Sequence, residues 1–204
     1  MRFVLLLTFL TSIAFADERP GLFFREDWAI SPPAIPVNQE HVTAQGLVLG
    51  LHGPGGSVVK KSHHDRPADD PYYLWSGLCP GNWAVSLTDR ESAVDLTGLA
   101  KVRWRAKQAG FRYLRLILKL SDDSWIVSEE ADGPSSDWRI HDFHIADVRW
   151  RSLDIKTVME GPWVESPDLS RVRAIGFTDL MAGGQSRACS RLDWIEVYGQ
   201  RVPR

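Results

Sequence analysis

The stretch Lys101–Gln108, KVRWRAKQ, alternates apolar and charged residues along its length. In an extended chain successive side chains point to opposite faces, so Val102, Trp104 and Ala106 share one face and Arg103, Arg105 and Lys107 the other. Wound as a helix, the same residues would scatter around the axis, so the alternation predicts a half-buried strand. Residues 113–120, YLRLILKL, place Leu114, Leu116, Leu118 and Leu120 inward with Arg115 and Lys119 outward, and residues 191–199, RLDWIEVYG, read as a strand by the same criteria. These runs predict a sheet with an apolar face on the core and a basic face toward solvent.

Turn chemistry separates the strands. Ser121, Asp122, Asp123 and Ser124 lie between two strand patterns and predict a hairpin. VDLTGLAKVRWRA and PDLSRVRAIGFTD both run Asp-Leu-Thr/Ser into an apolar strand, the Asp and hydroxyl side chains satisfying backbone groups in the turn. No amphipathic helix longer than a couple of turns is readable, and one short helix near residues 155–160 stays open. The fold class expected is all-β, an antiparallel β-sandwich with at most one or two short helices.

Bulk properties narrow the class of function. Residues 1–16, MRFVLLLTFLTSIAFA, join Arg2, a short apolar run and the small-x-small site Ala14-Phe15-Ala16, the pattern of a cleaved secretory signal. Residues 17–204 are then expected to form a single β-sandwich domain, secreted or periplasmic, with no second run long enough to span a bilayer. The 204 residues hold 24 Lys and Arg against 26 Asp and Glu, which argues against nucleic acid or an anionic membrane as partner. Cys79 and Cys189 make an even number of cysteines in an exported chain, which predicts one disulfide between them.

The succession DLTGLAKVRWRAKQ, the LRLILKL hairpin, DWRIHDFHI, DLSRVRAIGF and the closing RLDWIEVYG resembles the galactose-binding-like β-jelly-roll of many bacterial carbohydrate-binding modules, over about residues 22–199. The resemblance implies a jelly-roll sandwich whose final strand closes against a first strand at LFFREDW. It also implies a structural calcium ion between the first strand's loop and the last strand, to which Glu26, Asp27 and Asp193 would offer hard carboxylate oxygens. No other cofactor is expected. The function implied is non-catalytic binding of carbohydrate by a monomer.

Residues 60–79, KKSHHDRPADDPYYLWSGLC, concentrate polar and aromatic side chains. In an extended chain only His63 and Asp65 share a face, too few ligands for a closed zinc site. Pro67 and Pro71 break strand pairing, so the segment reads as a loop entering a strand near Tyr73, with Cys79 pinning its far end. Sugars stack their CH faces on indole rings while their hydroxyls seek Asp, His and Arg partners, and nine tryptophans is a high count for this length. The ligand rim expected therefore comprises His63, Asp65, Asp70, Tyr72, Tyr73 and Trp75, joined by Trp125 and Trp138 from neighbouring loops. Arg103, Arg105 and Arg115 would add a patch for acidic glycans, because guanidinium groups bind planar anions through paired hydrogen bonds. The plainer role of such charges is pairing with Asp122, Glu129 or Asp142. No GxSxG, HExxH or P-loop occurs, so no catalytic residue is assigned. Two further readings are a β-sandwich lyase or hydrolase, with a His-plus-Tyr pair such as His63 and Tyr73 as base and acid, and a structural or envelope interaction protein.

Overall fold

Lys101–Gln108 is a strand in which Val102, Trp104, Ala106 and Gln108 are buried and the four residues between them only half so. The computed structural model describes residues 19–62, 66, 70–78, 80–180 and 188–204. The expected signal sequence, His63, Asp65 and Cys79 lie outside the described residues.

Strands dominate. They are β1 (Leu22–Glu26), β2 (Leu47–His52), β3 (Lys60–Ser62), β4 (Tyr73–Trp75), β5 (Ala84–Asp89), β6 (Ser92–Asp95), β7 (Lys101–Gln108) and β8 (Leu114–Lys119). There follow β9 (Trp125–Asp132), β10 (Arg139–His144), β11 (Trp150–Asp154), β12 (Met159–Val164), β13 (Ala174–Thr178), β14 (Ser190–Tyr198) and β15 (Gln200–Pro203). Among the described residues the only helices are three single 3-10 turns, at Gln39–His41, Gly56–Val58 and Ile145–Asp147. The expected all-β antiparallel sandwich is what forms.

Two sheets make the layers. One is six-stranded, in the order β10-β7-β14-β4-β3 with β1 also on β14; the other is seven-stranded, β12-β11-β9-β8-β13-β5-β2. β1 pairs antiparallel with β14, so the first strand does close against the RLDWIEVY strand. Trp104, Val102, Leu192, Ile195 and Val197 from the first sheet meet Leu114, Leu116, Leu118, Ile175 and Phe177 from the second in one core. Trp104 packs edge-on against both Phe143 and Phe177, with ring centres 4.6 and 6.4 Å apart, the geometry that aromatic quadrupoles favour.

The turns do what their residues predict. Asp95 accepts from the Thr97 N–H at 2.8 Å and Asp168 from the Ser170 N–H at 3.0 Å. The two Asp-Leu-Thr/Ser turns also lie side by side, the Leu96 N–H donating to the Leu169 carbonyl at 2.9 Å. Residues 121–124 form the β8–β9 hairpin turn, where Asp122 accepts from the backbone and hydroxyl of Ser124.

One expectation is corrected and one open point is resolved. β7 and β8 belong to different sheets, so Arg103 and Arg105 point away from Arg115 and Lys119 instead of joining them on one basic face. Residues 155–160 are not helical: Asp154 pairs with Met159, so 155–158 make the β11–β12 turn. Cys189 is a buried free thiol, and Cys79, with which a disulfide is expected, lies outside the described residues.

The seven-stranded sheet also buries side chains on its outer face. Ile117 and Val127 alternate out of the main core and would face water, but Leu153 and Val158 of the β11–β12 hairpin fold over them and over Ala84. Val158 is fully buried at φ 53°. Gly53, at φ 76°, accommodates it, since a Cβ there would sit 2.5 Å from both Val158 Cγ2 and the Asn82 carbonyl oxygen.

Candidate functional site

The structure assembles only part of the expected rim. Tyr73 and Trp138 stack obliquely at 5.3 Å, and the Arg105 guanidinium lies 5.5 Å from the Trp138 ring centre. Tyr73 is only 1% exposed, which denies it the access an acid or base in a lyase requires. Trp75 lies beneath the Lys60 ammonium and Tyr72 beneath that of Lys61, each at 4.5 Å. Asp70 leads into β4. Trp125 opens β9 in the opposite sheet, against the His52 ring at 5.2 Å. His52 in turn bonds Ser86 Oγ at 2.8 Å, and burial, with Lys119 nearby, lowers its pKa.

The basic stripe of β7 is neutralised strand by strand. Arg103 reaches Asp142 at 2.5 and 2.9 Å, and Arg105 reaches Asp193 at 2.6 Å. Asp142 is thus a partner as expected and Glu129 pairs with Arg115, whereas Asp123 instead of Asp122 takes Lys119, at 2.8 Å. Arg103 and Arg105 are therefore not a free patch for an anion.

The three carboxylates proposed for calcium do not fit that ion. Glu26 is fully buried and accepts from the Trp28, Thr43 and Ala44 N–H groups and the Thr43 hydroxyl, at 2.7 to 3.0 Å. Those N–H groups point their positive ends at the oxygens a cation would need. Asp27 is taken by Arg25 and Asp193 by Arg105. No group of three or more His, Cys, Asp or Glu among the described residues is placed to hold a metal.

A different set of residues converges on the outer face of the seven-stranded sheet. A cleft of about 290 Å3 there is lined by Tyr113, Arg115, Glu129, Arg151, Glu160 and Asp179, among others. Arg115, Glu129, Arg151 and Glu160 come from β8, β9, β11 and β12, which are successive neighbours in the sheet. Arg115 contacts Glu160 at 2.8 Å and Glu129 at 3.5 Å; Arg151 contacts Glu129 at 3.0 Å and Glu160 at 3.7 Å. Each guanidinium thus spans both carboxylates. A bulge in β9 opposite Arg115 re-aims the strand here, and the Ser128 hydroxyl mends the ladder by accepting from the Leu116 N–H and donating to the Glu130 carbonyl.

Tyr113 stands at one end of this square, 46% exposed. Its ring lies against Gly133, where a Cβ would come within 2.6 Å of Cε1. Asp179, which lines this end, is buried and pairs with the buried Arg112 at 3.4 Å. Sequence reading missed Tyr113, Arg151 and Glu160 as site residues, because each looks like an ordinary outward side chain of its own strand. The available signal was a tyrosine after Gly110-Phe111-Arg112, at a strand mouth where an aromatic has no core to enter.

No family model and no curated protein matches the chain. Solved structures do. A family 11 carbohydrate-binding module from Clostridium thermocellum, in complex with a beta-1,3-1,4-mixed-linked tetrasaccharide, is 15% identical, with a TM-score of 0.48 over 82% of this chain and 95% of that one. The family 11 module of the cellulosomal cellulase Lic26A-Cel5E of the same organism is 12% identical, with a TM-score of 0.47 over 84% and 97%. A family 29 carbohydrate-binding module complexed with mannohexaose is 12% identical, with a TM-score of 0.44 over 82% and 92%. At these scores and identities no ligand or site residue passes from those modules to this chain.

Proposed function

We propose that this chain is an exported protein that binds carbohydrate in the cleft of the seven-stranded sheet and does not cleave it. The observation that carries the reading is the convergence of an exposed tyrosine with a square of two guanidiniums and two carboxylates. A sugar offers an apolar CH face and hydroxyls that both donate and accept; Tyr113 supplies a stacking surface, Arg115 and Arg151 the donors, Glu129 and Glu160 the acceptors. The side chains hold one another in place, so little ordering remains to oppose binding. Against hydrolysis, each carboxylate accepts from a guanidinium, Glu160 from Arg115 and Glu129 from Arg151, whereas glycoside cleavage needs one carboxyl that carries a proton to donate. Export is supported by the N-terminal sequence. Among the described residues no helix is long and apolar enough to cross a membrane.

The test is affinity electrophoresis through a panel of soluble polysaccharides, with reducing ends and unsaturated uronate products assayed in parallel. Retardation by at least one polysaccharide that weakens on Glu129→Gln, without released product, is the expected result. Retardation unchanged by Glu129→Gln and by Tyr113→Ala would move the site elsewhere, and release of product would make the chain an enzyme.

A further inference from the structure

Beside the cleft, on the edge strand β12, Trp163 is 41% exposed and carries two arginines. The Arg151 guanidinium lies 4.0 Å and that of Arg149 4.7 Å from the ring centre. The two are not equivalent. Arg151 is committed to Glu129 and Glu160 in the square. The Arg149 side chain is exposed and makes no ion pair or hydrogen bond with any described residue, although its backbone carbonyl accepts from the Glu129 N–H at 2.8 Å. Arg149 and Trp163 also line a second groove, of about 370 Å3, with Glu165 and Pro167. Trp163 and Arg151 therefore stand between two adjoining depressions, one with its charges balanced and one with a guanidinium held ready on an indole.

We infer that Arg149 and Trp163 form a subsite for a carboxylate-bearing sugar, so that the preferred ligand is a uronate-containing glycan. This rests on the carbohydrate reading of the cleft. Stacking fixes the plane of the guanidinium and restricts its rotamers, leaving its N–H edge to meet a planar carboxylate through two parallel hydrogen bonds. Glu165 sits in the same groove and opposes a diffuse anion, so the recognition would come from the paired geometry at Arg149 and not from a general positive field. A neutral unit of the same chain would lie in the balanced square.

Polygalacturonate, alginate and a glucuronate-containing glycan, each beside its carboxyl-reduced form, test this by affinity electrophoresis at low and moderate salt. At least one acidic form should be bound roughly tenfold more tightly than its reduced counterpart, the order expected for hydrogen bonds to a charged group. Arg149→Gln should erase that difference while leaving the reduced form bound as before. Equal binding of acidic and reduced forms, or a preference that survives Arg149→Gln, overturns the inference and leaves the carbohydrate reading intact. Failure to bind any polysaccharide, neutral or acidic, removes the reading beneath it as well. The melting temperature of Arg149→Gln should stay close to the parent's, since the side chain makes no ion pair or hydrogen bond with a described residue and Arg151 still covers the Trp163 ring.

Discussion

The Asn82 side-chain amide donates to the Val158 carbonyl at 2.9 Å, fastening the turn of the β11–β12 hairpin to the loop before β5. A β-branched residue at positive φ is strained by roughly 1–3 kcal/mol and persists only where its surroundings impose the conformation. Asn82 and the space at Gly53 are what impose it here. Replacing Asn82 by Ala should lower stability by about 1–2 kcal/mol in urea unfolding. Gly53→Ala, which would bring a Cβ against both the Asn82 backbone and Val158, should cost more. If both variants unfold at the parental midpoint, the turn is not held by these contacts.

Tyr113 lies half exposed over Gly133, so its ring can be removed or displaced without opening the core. Tyr113→Ala should weaken polysaccharide retention about five- to tenfold, the equivalent of about 1–1.5 kcal/mol of stacking. Gly133→Ala, by pushing the ring off the backbone, should act in the same direction. Circular dichroism and melting temperature should stay at parental values in both variants; loss of binding accompanied by loss of fold would count against a role in the ligand site.

Lys61 is fully buried, and among the described residues its ammonium has no hydrogen-bond partner and lies over the Tyr72 ring. Burial drives its pKa down to about 8. Between that value and its ordinary 10.5 the unfolded chain binds the proton more tightly than the native one, so stability rises with pH across this window and is lowest below it. Lys61→Met should therefore stabilise the protein at pH 7, on the order of 2 kcal/mol, and flatten the rise toward pH 10. A parent whose unfolding free energy is level from pH 7 to 10 would refute the assignment.

Cys189 is a buried free thiol. Reductant should leave the melting temperature unchanged, and a maleimide should label this residue only once the protein is unfolded, as followed by peptide mass spectrometry.

Much of the fold was legible because its signals are local. The alternation in KVRWRAKQ depends only on chain geometry, and the Asp95 and Asp168 turns only on a side chain reaching two residues ahead. Which sheet a strand joins depends instead on crossovers, so β7 and β8, similar in pattern, were wrongly given one basic face. Ile117 resisted reading for a related reason: its outer face is covered by Leu153 and Val158, residues some forty positions away in the chain. The cleft failed to show because its parts come from four strands and look individually like solvated charges. Within a segment dense with chemistry, Tyr73 is buried and Trp75 half-buried beneath Lys60, a difference in access that local pattern does not show.

β14, next to last in the chain, pairs with β1, β7 and β4, all three drawn from the first 108 residues. Until it is available, β7 and β10 on one side and β3 and β4 on the other share no hydrogen-bonded neighbour. Assembly of the six-stranded sheet must therefore wait for one of the last strands in chain order, and its long-range pairings make for slow folding. A chain so arranged cannot complete this sheet until residues 190–198 are present, so a polypeptide cut short before β14 would leave it in separate pieces.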